Sequence, residues 1–164
     1  MADPNLALLT QMALAMGPLR AQVVFVGGCA TGLLLTQPEV AEVRATEDVD
    51  AIVEVFTLAG YHQLAEALAA PYFLATKLEA FKDRGQNDLY LSHDLEDVIT
   101  VVDGRAEVVD ELADAPAELV AFVTETLRDV LAHPDFLNVL PGLLSEAARS
   151  GLVLQRLRQM AALS

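Results

Sequence analysis

Asp48 and Asp50 are separated by a single residue and follow a Gly27-Gly28 pair. Side chains at i and i+2 of a strand project to the same face. An extended segment here therefore presents two carboxylates together. Such a pair binds hard divalent cations, Mg²⁺ or Mn²⁺, through oxygen. Two-metal sites of this kind drive in-line displacement at phosphorus. The glycine pair supplies what a triphosphate needs: backbone N–H groups that approach closely, beside the positive end of a helix. Cys29 follows directly. Its S–H is a poor donor to phosphate, so the backbone amides of Gly27, Gly28 and Cys29 carry that role. Further on, Lys77, Lys82 and Arg84 fall in one short window and include both lysines of the chain. That window is the best local anion site, with Lys77 and Arg84 balancing triphosphate charge. The plainer reading of it is a solvated helix face.

The elements that must position these groups can be read from pattern. Ala21–Val26 is a short apolar, β-branched run and reads as a buried strand. Ala30–Leu35 reads as a helix whose N-terminus faces the glycine turn. Thr36–Thr46 is a loop through Pro38. Val49–Val55 reads as a strand on its β-branched density, although Val49, Ile52, Val53 and Phe56 also fit helical spacing. Helices are expected over Leu6–Met16, Tyr61–Ala69 and Phe73–Lys82. In the last of these Leu74, Leu78 and Phe81 form the buried stripe, with Lys77 and Arg84 along one edge. Gly85-Gln86-Asn87-Asp88 is a turn. Ser92 caps a helix from His93 to Val102, ended by Asp103-Gly104. Beyond Glu107 the pattern stays helical, with helices over Val108–Leu112, Ala117–Ala132, Asp135–Leu140 and Leu152–Leu163. Pro116, Pro134 and Pro141-Gly142 punctuate them.

Two blocks together resemble the AbiEii-type toxin nucleotidyltransferases of the DNA polymerase β-like superfamily. The first is Val24-Phe25-Val26-Gly27-Gly28-Cys29-Ala30 with Arg44-Ala45-Thr46-Glu47-Asp48-Val49-Asp50. The second is Tyr72 to Gly85 with Ser92-His93-Asp94-Leu95-Glu96-Asp97-Val98. The resemblance spans most of residues 22–105. It implies an α+β fold, a small nucleotidyltransferase-like sheet with helices, followed by a helical C-terminal portion over 106–164 in the same domain. It implies transfer of a nucleotidyl group from an NTP, with Asp48 and Asp50 as metal ligands and Lys77 as the catalytic lysine. Asp94 or Asp97 would orient Lys77 or Arg84 by a salt bridge. A toxin of this type implies a cognate antitoxin. The chain departs from the family where Leu68-Ala69-Ala70-Pro71 joins two helices directly. Relatives carry further strands and a third catalytic carboxylate there. Weak or absent activity is therefore expected, and a non-catalytic nucleotide- or protein-binding remnant of the fold is the alternative.

Composition narrows the partners. The 164 residues carry a net charge of −14 and are 54% hydrophobic, which argues for a packed domain rather than disorder. So acidic a chain repels nucleic acid over most of its surface, and a large RNA acceptor is disfavoured. No apolar run is long and charge-free enough to span a bilayer. The single cysteine excludes an internal disulfide, and the expected compartment is the cytoplasm. A rival constellation, His62, His93-Asp94 and Asp129, has the residue types of metal-dependent HD-type phosphohydrolases. It leaves Gly27-Gly28 and Asp48/Asp50 unexplained.

Overall fold

The computed structural model describes residues 3–17, 20, 23–53, 70–84 and 89–163. The expected helix over 61–69, the turn at 85–88 and His62 lie outside these residues. The fold is α+β. In chain order the elements are α1 (Leu6–Met16), β1 (Val23–Val26), a 3₁₀ helix (Gly28–Leu34) and β2 (Asp50–Val53). Then come α2 (Ala70–Arg84), α3 (His93–Gly104), α4 (Val108–Ala113), α5 (Ala117–Ala132) and α6 (Phe136–Val139). Two short 3₁₀ turns (Leu140–Leu143 and Ala147–Arg149) lead to α7 (Ser150–Ala161).

Among the described residues the sheet is a two-stranded antiparallel ribbon in which Val23 faces Val53 and Val26 faces Asp50. A ribbon of this size is marginal by itself. Between its strands, directly after β1, the helix expected over Ala30–Leu35 is a seven-residue 3₁₀ helix, Gly28–Leu34. Gly28, Thr31 and Gly32 all disfavour the α form. Cys29, Ala30, Thr31 and Leu34 are buried beneath it.

The core lies among the helices. Residues 97–104 of α3 are all buried, because the run Val98-Ile99-Thr100-Val101-Val102 is apolar nearly all round, as a central helix must be. α2 packs on it, with Leu74 and Leu78 in the core, and α5 packs on α2 and α7, adding Val123, Leu127 and Val130 to the same cluster. Phe136 of α6 and Val153, Leu157 and Met160 of α7 close the same cluster. The helices beyond residue 106 thus share one core with α2 and α3.

Arginines finish the buried helix ends. Arg156 Nη1 donates to the carbonyls of Val102 (2.7 Å) and Asp103 (2.8 Å). These are last-turn acceptors of α3 with no partner inside the helix. Arg149 Nε donates to Asp103 Oδ1 at 2.6 Å. Arg128 Nε donates to Ala161 O at 2.8 Å at the end of α7. None of the described helices is long and apolar enough to cross a membrane.

Candidate functional site

The ribbon register explains the glycine turn. Because Val26 pairs with Asp50, Asp50 stands beside Gly27, the residue that ends β1. Gly27 has φ +75° and ψ −165°, a region open essentially to glycine alone. A Cβ on Gly27 would collide with the Asp50 carboxylate. Gly28 makes a second close approach, since a Cβ there would lie 3.2 Å from both Arg44 Nη2 and Asp97 Oδ2. The turn therefore has carboxylates on two sides and a guanidinium over it.

Asp48 lies ahead of the strand, as the expected span Val49–Val55 places it. The strand starts at Asp50, so Asp48 sits in the approach to it. Its backbone N–H donates to Thr46 Oγ1 at 3.2 Å, and a local side-chain bond of this kind fixes a turn. The segment itself is held from the chain's start. Asn5 is buried; its Nδ2 donates to Arg44 O at 3.0 Å and its Oδ1 accepts from Thr46 N at 2.9 Å.

An open cleft of about 480 Å³ gathers these groups. It is lined by Gly28, Arg44, Thr46, Asp48, Asp50, Lys77 and the stretch Leu91–Asp94. Lys77 enters from α2, less exposed than an edge residue would be, with its side chain 12% accessible. Its ammonium lies 3.2 Å from Asp94 Oδ1 and donates a hydrogen bond to it. It is 2.7 Å from Asp97 Oδ2, as a charge contact without hydrogen-bond alignment. It also lies 5.9 Å from the centre of the Phe73 ring, within cation–π range. Asp94 and Asp97 occupy the first turns of α3, where the helix dipole favours negative charge. Ser92 caps that helix by accepting the Leu95 N–H at 3.2 Å.

The sequence-predicted residues divide as follows. Gly28, Asp48, Asp50, Lys77 and Asp94 share the cleft, Gly27 borders it through Asp50, and Asp97 backs Lys77 from beneath. Cys29 faces inward instead: it is buried, and its thiol donates to Val26 O at 3.1 Å. Burial first, opposed by a backbone hydrogen bond from Asp50, pushes the thiol above its ordinary range. Any anion contact at that position falls to the backbone. Arg84 is the last residue of α2, about two turns beyond Lys77, and its side chain lies outside the described part. His93 is exposed and its Nδ1 lies 3.3 Å from Glu96 Oε2.

Arg44 and Thr46 were not singled out by residue type. Both line the cleft with Asp48 and Asp50. Arg44 and Thr46 lie ahead of the strand, so their place in the cleft comes from the course of the 44–49 segment. Arg44 Nε is buried without a hydrogen-bond partner among the described residues, with Glu96 Oε2 3.7 Å away.

The donor set suits a hard cation. Asp48 and Asp50 are exposed carboxylates in the cleft lining. Among the described residues no three His, Cys, Asp or Glu side chains come together as a metal cage. Two carboxylates leave the remaining positions to phosphate oxygens and water, a common arrangement for Mg²⁺. No family model, curated protein or solved structure matches this chain.

Proposed function

We propose that this protein binds a nucleoside triphosphate together with Mg²⁺ or Mn²⁺, as a nucleotidyltransferase-like protein of the AbiEii type. The observation that carries the reading is convergence. A glycine turn, two carboxylates, an arginine and a lysine from separate stretches of chain line one cleft. Charge makes the cation necessary. Arg44 and Lys77 share that space with Asp48, Asp50 and Asp94, and Asp97 lies against Lys77. A polyanion would be repelled unless a divalent ion offsets the carboxylates. Asp48 and Asp50 would hold that ion. Lys77, fixed by Asp94 and Asp97, would meet the phosphates as a preorganised positive charge. The ion would supply Lewis-acid polarisation of the transferred phosphoryl group.

Transfer to an acceptor is proposed to be slow or absent. α2 starts at Ala70, at the direct join where the family's third carboxylate would precede it. Asp94 and Asp97 are engaged by Lys77. General-base help is worth roughly 10²–10⁴-fold. The second reading, nucleotide binding without transfer, rests on the same join. The phosphohydrolase alternative has no such support, since Asp129 lines a different cleft, with Lys82 and His133. A cytoplasmic location, a cognate antitoxin and a small-molecule or protein acceptor rather than a large RNA complete the proposal.

Calorimetry with Mg²⁺ and ATP tests it. Asp50 is exposed, so Asp50→Asn alters charge with little effect on folding. We expect wild-type binding and its loss in the variant; equal binding by the two proteins would remove Asp50 from the site. Labelled NTP with Mg²⁺ and pooled cellular RNA and protein then reads transfer. Robust label transfer abolished by Asp48→Ala would overturn the inactive reading.

A further inference from the structure

The cleft lining is of two chemical kinds. Gly28, Arg44, Thr46, Asp48, Asp50, Lys77 and Asp94 offer charge, a hydroxyl and backbone. Among the described lining residues Leu91 is the apolar side chain and His93 the aromatic ring. Leu91 is 77% exposed, more than any other large hydrophobic side chain described, and its neighbour Tyr90 is 66% exposed. These residues are not on a loose tip. Leu89 is buried before them, and Ser92 after them is committed to the cap of α3. The His93 ring is steadied by Glu96 at 3.3 Å. An anchored segment thus holds a leucine and an imidazole at the mouth of a charged cleft.

We propose that Leu91–His93 is a nucleobase platform, taking the flat face of a base whose phosphates lie toward Gly28, Arg44 and Lys77. The proposal rests on the nucleotide reading above. A base is planar, with apolar faces, and gains from covering leucine and stacking on an imidazole. The phosphate end has the opposite need and finds it in the charged part of the lining. A purine covers more of this surface than a pyrimidine and binds more tightly.

The test compares ATP with inorganic tripolyphosphate, both with Mg²⁺, by calorimetry on the full chain. The variant is Leu91→Ala with His93→Ala; both side chains are largely exposed, and an unchanged melting temperature confirms the fold. The expected result is a loss of about tenfold for ATP, the scale of one base stack, with tripolyphosphate affinity unchanged within about twofold. Undiminished ATP binding, or equal loss of both ligands, overturns the platform. If the wild type binds tripolyphosphate as tightly as ATP, the platform fails while the triphosphate site stands. If the wild type binds neither, the nucleotide reading falls and takes the platform with it.

Discussion

Helices α2 to α7 bury Leu74, Leu78, Ile99, Leu127, Phe136, Leu157 and Met160 in one cluster. Residues 23–50, which carry the glycine turn and both cleft aspartates, contribute Val24, Cys29, Ala30, Leu34, Ala41 and Val43 to buried apolar surface, and of these Leu34 alone joins that cluster. The helical part is held by hydrophobic burial. The ribbon part is held by directed bonds: Asn5 to the 44–46 backbone, Arg105 Nη1 to Leu34 O at 2.5 Å, and Thr36 and Gln37 N–H groups to Gly104 O. The cleft lies on the seam, with Lys77, Asp94 and Asp97 from the stable side and Asp48 and Asp50 from the other. Stability and chemistry are therefore separable by mutation.

The largest effect should come from the helical core. Phe136→Ala removes a fully buried ring and should cost about 3–5 kcal/mol, read as a lower urea midpoint at unchanged slope. A loss below about 1 kcal/mol would break the contrast, because buried aromatic truncations rarely cost so little.

A smaller effect is expected on the other side. Asn5→Ala leaves Arg44 O and Thr46 N without their partner and should cost about 1–3 kcal/mol. Amide exchange sharpens this prediction. Thr46 should lose protection while the amides of 120–130 keep theirs. Uniform loss would show the two regions to be one cooperative unit.

The smallest effect is a pH slope in the helical part. Asp103 is buried beside Arg149. Burial raises its carboxyl above the ordinary range, and the Arg149 hydrogen bond and charge oppose this. Between the unfolded and folded pKa values the native state holds more protons. Its stability therefore falls as pH rises through that window. Thermal melts from pH 3.5 upward should show Asp103→Asn gaining on the wild type across the same interval. Parallel curves would mean that Arg149 fully compensates the burial.

Legibility followed the same division. α1 and α5 keep the limits expected from Gly17, Pro116 and Pro134, because long apolar periodicity and backbone breakers act locally. The Ser92 cap was readable for the same reason. On the ribbon side, local rules lost to tertiary ones. The Gly28–Leu34 segment coils as 3₁₀, and Cys29 turns inward. The salt bridges expected from Asp94 or Asp97 to Lys77 are both present, whereas the burial of Lys77 is not contained in a stripe drawn on one helix. Arg44 gains its place in the cleft from the path of a non-strand segment, which no local periodicity marks.

α3 fastens at both ends. Its first turns carry the carboxylates on Lys77, and its last carbonyls take Arg156. Gly104 lies so close to the 35–41 loop that a Cβ would sit 2.8 Å from Leu35 Cδ2 and 3.0 Å from Ala41 Cβ. The twelve residues between act as a ruler about 18 Å long. Adding or deleting one residue would turn one end by about 100° relative to the other and slide it about 1.5 Å. Either the lysine clamp or the loop contact would then lose register. The length of this helix is thus fixed by what it spans.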